Sequence, residues 1–384
     1  MVDRDPEGDK ASFGNAGGIA VTECVPASVP GLIWRLPGWL LDPLGPLAVR
    51  PGHAPNLLAW LWRFSRVADP REVERIAEAL AALNGRTYDD LIPLLSDAGM
   101  SGELYRMGAL TVYESEGGFR RDRNEWALKR THGVQVEELS GEEARRMEPA
   151  LGGIVKRAIF TPQWSHIGDP KRLVDALRQW LRCQEVPIVR GNVVRLDPGH
   201  NSVSVECDDG RALRAEKAVI AAGAWSGLLA RRLGDRVLLE SERGYNTTLP
   251  RSGIALSREL IFAERKFVAT PLSCGLRIGG AAEFGGLDAI ANYKRSQALL
   301  RLAMRYLPDL KSDGGFNWAG HRPATPDSLP VIGASPRHQN VYYAFGHGHL
   351  GLTQAATTGR LIAELIIGKP TTIDVSPYTV ARFS

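Results

Sequence analysis

The chain has 384 residues, 44% hydrophobic and 23% charged, ordinary globular values for two domains or one large α/β body with an inserted domain. A net charge of +4, carried by scattered basic residues, leaves no footprint for nucleic acid. Cys24, Cys183, Cys207 and Cys274 lie far apart with no C-x-x-C pair, which argues against a disulfide framework or a zinc site and for a reducing compartment.

No apolar run reaches the roughly 18 residues of a membrane span, and no signal peptide is visible. Met1-Val2-Asp3-Arg4 reads as the tail of a strand. Residues 12–22, SFGNAGGIAVT, form a Gly-rich turn running into a short apolar segment. Pro26, Pro30, Pro37, Pro43, Pro46 and Pro51 forbid a long helix over 25–52. With Trp34, Trp39, Trp60 and Trp62 in or just after it, this stretch reads as a loop packed over the core; the alternative is a surface touching a membrane or partner subunit.

Residues 70–98 are predicted helical, with Val73, Ile76, Leu80, Leu83, Leu91 and Leu94 near helical spacing. Residues 108–113 read as a strand, and 140–148 as a helix opened by a capping box of Ser140 and Glu143. Asp169 as N-cap and Pro170 at the first helical position open another, whose apolar face includes Leu173, Leu177 and Leu181. Strands follow at 187–196, 202–207 and 216–222. The last enters, through AAGAWS, a helix that Gly234 stops. Strands resume near 237–249, 259–270 and 276–281, then a helix at 291–306. Val341 to Phe345 reads as a buried strand, and Thr353 to Ile367 as a helix with Leu361, Ile362, Leu365 and Ile366 on one face.

Between that strand and helix, Gly346-x-Gly348-x-x-Gly351 fits the dinucleotide pattern, but no βαβ unit with an acidic residue about 20 positions on follows it. The physics of the turn remains. Glycines let a ligand approach the backbone, and the helix start offers free N–H groups and positive dipole charge. That suits an electron-rich ring carrying developing negative charge, such as a reduced flavin. Arg322, between Gly320 and Pro323, is placed to clamp a carboxylate with two hydrogen bonds; its alternative is a structural pair with Asp327. His347 and His349 lack further ligands for a metal, and either serves as a general base or bonds locally at the turn. Tyr245, in RGYNTTLP, touches substrate or belongs to the core. No G-x-S-x-G, H-E-x-x-H or G-x-x-x-x-G-K-[ST] is present, which counts against serine hydrolases, zincins and P-loop enzymes.

Taken in order, SFGNAGG, GALTVY, LSGEEARRMEPAL, IGDPKRLVDAL, AAGAWS, RGYNTTLP and WAGHRPATPDSLPVIG…GHGHLGLT resemble the FAD-dependent D-amino-acid dehydrogenase small-subunit family. That family sits in the group of D-amino-acid oxidase, glycine oxidase and sarcosine oxidase, and the resemblance covers nearly the whole chain. It implies an α/β fold: an FAD/NAD(P)-binding Rossmann-like domain interleaved with an α+β antiparallel-sheet substrate domain. The first would take residues 1–59, with the Pro/Trp-rich loop, 160–235 and 318–384; the second would take 60–159 and 236–317. It further implies that Asp3 takes the adenosine ribose, and that Ser12, Asn15, Ala16 and Gly17 lie by the flavin and pyrophosphate. Val194 would hold the adenine edge through its backbone. Ala222, Gly223 and Trp225 would border the phosphate and ribityl chain. Gly346, Gly348, Leu350, Gly351, Leu352 and Thr353 would face the flavin pyrimidine. Arg322 would bind the substrate carboxylate, Tyr245 would line the pocket, and His347 completes the candidate catalytic set.

The family opens with a strand, G-x-G-x-x-G and a helix that seats the pyrophosphate, a unit of roughly 30 residues with no counterpart here. The central sheet is therefore expected to lack a middle strand and its phosphate cradle. The preferred explanation is a sequence starting at an internal codon of a longer protein; the other is a non-catalytic remnant with weak FAD binding. The implied activity is oxidative deamination of a D-amino acid. A hydride passes from the α-carbon to flavin N5, and the imine hydrolyses to a 2-oxo acid and ammonia. The alternative is a secondary-amine dehydrogenase or oxidase of sarcosine or hydroxyproline type. The implied partners are the amino acid and an electron acceptor such as a quinone or the respiratory chain. The implied location is cytoplasmic, with a peripheral place at the inner membrane face as the alternative.

Overall fold

The computed structural model of the chain describes residues 1–30 and 47–384. Trp34, Pro37, Trp39, Pro43 and Pro46 of the expected loop lie outside the described residues.

The largest element is a nine-stranded mixed sheet. Its order is Phe316–Ala324, Glu240–Leu249, Gly275–Phe284, Phe267–Leu272, Glu259–Phe262, Ala109–Tyr113, Arg157–Thr161, Glu137–Ser140, with Leu47–Val49 added alongside Gly275–Phe284. Apolar side chains such as Leu110, Leu260, Phe267 and Ile278 fill one side of it, under Leu299, Ala303 and Tyr306 of the helix Lys294–Tyr306. Phe316–Ala324 straddles the expected domain division at 317/318, and the sheet takes the strand whole. This strand was not read from the sequence. Its glycine and proline are tolerated because it lies at the edge, where the missing N–H of Pro323 interrupts no inner ladder.

Register matters more than strand count. Glu240–Leu249 runs antiparallel to both neighbours, and sets Glu242 opposite Arg322 and Gly244 opposite Gly320. Against Gly275–Phe284 the register slips between Arg243 and Tyr245. Ala281 and Ala282 there oppose the single residue Gly244, and Ala281 takes a φ of 56°.

The remaining parallel strands form two separate pieces. Val2–Asp3 pairs with Val189–Arg190. Ala218–Ile220 pairs with Val341–Phe345, which is antiparallel to Val331–Ala334. Leu361 and Ile362 of the helix Gly351–Ile366 are buried in one cluster with Ile332 and Tyr342 of those strands and with Leu80 and Leu83.

Local signals account for several boundaries. Ser140 and Glu143 form the capping box, and the Asp169 side chain accepts from the N–H groups of Lys171 and Arg172. Gly234 ends its helix with a φ of 84°. The single helix expected over 70–98 is two, Pro70–Gly85 and Thr87–Asp97, hinged at Arg86 just after a glycine. Trp60 sits in a helix, Leu58–Val67, where it stacks on Phe64 and donates to the Ala324 carbonyl at 3.1 Å. Trp62 on the same helix is exposed. Among the described residues no helix is long and apolar enough to cross a membrane.

Candidate functional site

Arg322 occupies the edge strand directly opposite Glu242. Its Nη1 donates to the Glu242 carboxylate at 2.8 Å and to the Ala281 carbonyl at 3.0 Å. The guanidinium lies over Gly244. A Cβ there would come within 2.5 Å of its Cζ and Nη2, so the missing side chain makes room for the cation. Asp327, the alternative partner, is buried and binds Arg382 instead, at 2.8 Å.

The same face of the sheet gathers the loop that carries Ser12 to Gly17. Asn246 donates to the Gly14 carbonyl at 2.8 Å. Trp318 donates to the Asp9 carbonyl at 3.1 Å, and its ring fills the space above Gly14 and Gly320. Arg277 is buried opposite Thr248. Its Nε donates to the Thr248 hydroxyl at 2.9 Å, and its Nη1 to the Phe13 and Asn15 carbonyls at 2.7 and 2.6 Å. Burial lowers the Arg277 pKa from its ordinary value. Within the loop, the Ser12 carbonyl accepts from Asn15 N–H, and Asn15 Oδ1 accepts from Gly17 N–H at 2.7 Å, with half-buried Ala16 between. Gly17 has a φ of 86°, and a Cβ on it would meet the Ile167 carbonyl at 2.8 Å.

Two tethers bring the glycine turn to this assembly. Gly348 N–H donates to the Pro323 carbonyl at 2.9 Å, next to Arg322. Ala20 N–H donates to the Thr353 hydroxyl at 2.9 Å, which joins the helix start to the end of the loop. Gly346 and Gly348 have φ values of 85° and 53°, and nothing lies within 4 Å of a Cβ built on Gly348. Leu350 is buried and Leu352 half-buried. The first N–H groups of the helix, from Gly351 onward, have no acceptor within it. The turn thus offers donors, dipole charge and open space beside a cation.

His347 is turned to its own helix. Its Nε2 lies 2.9 Å from the Thr358 hydroxyl, and burial lowers its pKa to about 4, so the ring is neutral near pH 7. The partner lies inside the helix Gly351–Ile366, beyond the turn where a local bond was expected. His349 is exposed, and among the described residues no group of His, Cys, Asp and Glu could hold a metal.

A second cluster surrounds the first strand. Asp3 Oδ1 accepts from Asp5 N–H at 2.8 Å and from Lys10 Nζ at 2.5 Å. The Arg4 guanidinium stacks 3.6 Å over the Trp225 ring, which stands edge-on to His321 at 5.1 Å. Ala222 is exposed, Gly223 has a φ of 56° and open space around it, and the buried Ser226 hydroxyl just beyond has no partner among the described residues. Val194 sits at a bulge, its carbonyl accepting from Arg232.

Tyr245 is not with Arg322. Strand alternation turns it to the opposite face, where its hydroxyl donates to Glu283 and accepts from Asn292 N–H at 3.0 Å. It is 1% exposed, and burial raises its pKa. Glu242, Gly244, Arg277 and Trp318 are the candidate-site residues that sequence reasoning passed over. Gly244 and Trp318 stand inside the strings already quoted, but their place in the site depends on a register that no string shows.

The family pattern described as "DAO: FAD dependent oxidoreductase" matches residues 1–365. A D-amino-acid oxidase of Bradyrhizobium diazoefficiens is 34% identical, with 99% of this chain and 91% of that protein covered. A D-amino acid dehydrogenase of Paramagnetospirillum magneticum is 31% identical over 100% of this chain and 93% of its own length. Among solved structures, glycine oxidase from Geobacillus kaustophilus superposes with a TM-score of 0.76 at 21% identity, covering 99% of this chain and 91% of that one. Iminodiacetate oxidase from Chelativorans sp. BNC1 gives 0.72 at 20% identity, covering 98% and 91%.

Proposed function

Since the chain belongs to the DAO family of FAD-dependent oxidoreductases, we propose that it oxidises a D-amino acid to the 2-oxo acid and ammonia. The observation that carries this reading is the position of Arg322, one residue from the Pro323 carbonyl that anchors the glycine turn. A carboxylate clamp and a ligand-approachable helix start then share one corner of the fold. The relatives named for D-amino acids support the choice of substrate; the structural neighbours speak to the fold.

The residues present suit FAD. Asp3 at a strand end, the open Gly223, the Ser226 hydroxyl, unpartnered among the described residues, and the helix start at Gly351 supply donors, an acid and space for a dinucleotide carrying an electron-rich ring. Asp3, Ser12, Asn15, Ala16, Gly17, Val194, Ala222, Gly223, Trp225 and Gly346 to Thr353 would hold it. Bound FAD supplies the acceptor for the hydride. Arg322 would grip the substrate carboxylate through two N–H groups and so fix the α-carbon and its hand. The positive end of the Gly351–Ile366 dipole favours negative charge developing beside it. On the same reading a quinone or oxygen takes the electrons onward, and the FAD-binding and substrate parts follow the division at 59, 159, 235 and 317, with Phe316–Ala324 shared between them.

The test is dye reduction by the FAD-loaded chain with D- and L-amino acids and sarcosine, with and without oxygen. D-amino acids are expected to be turned over preferentially. Arg322→Ala is expected to lose about 2–5 kcal/mol in kcat/KM. Preference for sarcosine would overturn the substrate, and a loss below about tenfold would overturn the clamp.

A further inference from the structure

We propose that Arg322 and Glu242 act together as a receptor for the zwitterionic head of the amino acid, Arg322 taking the α-carboxylate and Glu242 the α-ammonium. The proposal rests on the substrate reading above and deepens it. The two side chains stand opposite one another in register, 2.8 Å apart, and remain 29% and 22% exposed. A ligand can therefore reach both. Gly244 and Gly320, directly opposed on the same strands, leave room above the sheet for the Arg322 head and for the Trp318 ring, which borders the pair.

The charges fit one class of ligand. Arg322 spends Nη1 on Glu242 and on the Ala281 carbonyl, while its Nη2 and Nε edge lies over Gly244. A second carboxylate can dock on that free edge as a two-point contact. A ligand with a carboxylate alone would do so beside the negative Glu242, which repels it and already competes for the cation. A zwitterion brings its own ammonium to Glu242, so the two dipoles lie antiparallel and all four charges are paired. A glutamate serving only to hold Arg322 in place would not distinguish these ligands. It would help both by fixing the guanidinium.

The proposal therefore predicts that Glu242→Gln, which keeps the shape and removes the charge, weakens the amino acids without weakening their deamino counterparts. The experiment uses the FAD-loaded chain and matched pairs differing only in the ammonium group: D-alanine with propionate, and D-phenylalanine with 3-phenylpropionate. KM is read for each amino acid and the competitive inhibition constant for each deamino acid. In Glu242→Gln, KM is expected to rise at least tenfold while the inhibition constant stays level or falls. Glu242→Asp, which restores the charge on a shorter arm, should recover part of the amino-acid affinity, and thermal unfolding of both variants establishes that the fold is kept. If both constants rise together, or neither moves, the receptor is wrong while the substrate reading stands. If the parent chain turns over no D-amino acid, the substrate reading itself falls.

Discussion

Arg322 and His347 were singled out on similar grounds, a polar side chain beside glycines, and their surroundings now separate them. Arg322 is half-buried at a strand edge with part of its guanidinium over a glycine. His347 is committed to Thr358, and burial holds its pKa at about 4, below the ordinary 6.5. A histidine lowered in this way stays neutral at any pH above about 5, so it contributes no titrating limb at neutral pH. The kcat/KM profile between pH 5.5 and 8 should therefore keep its shape in His347→Asn, even if its height falls. Loss of a limb in that window would make His347 the working base. Arg322 stood out in the sequence as a cation between Gly320 and Pro323, but its partner, Glu242, lies 80 residues away and shows only in the strand register. Tyr245 could not be assigned from the sequence, because an aromatic residue on a strand serves a core or a pocket equally well. Its burial in the cluster under the helix Lys294–Tyr306, with Glu283 and Asn292 on its hydroxyl, places it in the core.

At the scale of elements, the parts legible in the sequence are those whose signals are local. Val341–Phe345, the capped helices and the Gly234 stop are written in runs and caps a few residues long. The edge strand Phe316–Ala324 was not legible, since its glycines and proline imitate a loop. Its strand character comes from nine residues pairing with Glu240–Leu249, which lies far away in sequence. That pairing sets Gly244, which has no chemistry of its own, beneath the Arg322 guanidinium. Gly244→Ala would put a Cβ within 2.5 Å of the Arg322 head. The obstructed atoms end a flexible side chain, so the guanidinium should swing aside and leave the backbone where it is. The expected result is an unfolding midpoint close to the parent's, with KM for the amino acid raised tenfold or more. A variant with lower stability but unchanged KM would show that Arg322 does not work from this position.

The large sheet is tied across long sequence distances to the segments packed on it, and one such tie carries a pH signature. Glu259 opens its strand 3% exposed, accepts from Trp164 Nε1–H at 2.9 Å, and lies so close beneath Gly18 that a Cβ there would meet its carboxyl at 2.4 Å. Burial raises its pKa to about 8, against 4.5 for a free side chain. Between these values the folded chain keeps a proton that the unfolded chain has released. The unfolded state then binds fewer protons, so stability falls as pH rises above 4.5 and levels off past 8. His166, His321 and His347, each lowered by burial to about 4, act in the other direction. The unfolded state binds their protons first, and stability falls as pH drops from 6.5 towards 4. Above pH 7 the histidines are silent, which leaves that window to Glu259. Glu259→Gln keeps an acceptor for Trp164 and removes the proton. Its unfolding free energy relative to the parent should therefore climb between pH 5 and pH 8, by a few kcal/mol as an order of magnitude. Urea unfolding at half-unit pH steps measures this directly. Parallel curves for parent and variant would mean that Glu259 is charged in the folded chain, and that its place beneath Gly18 is held by an ion rather than by a neutral acid.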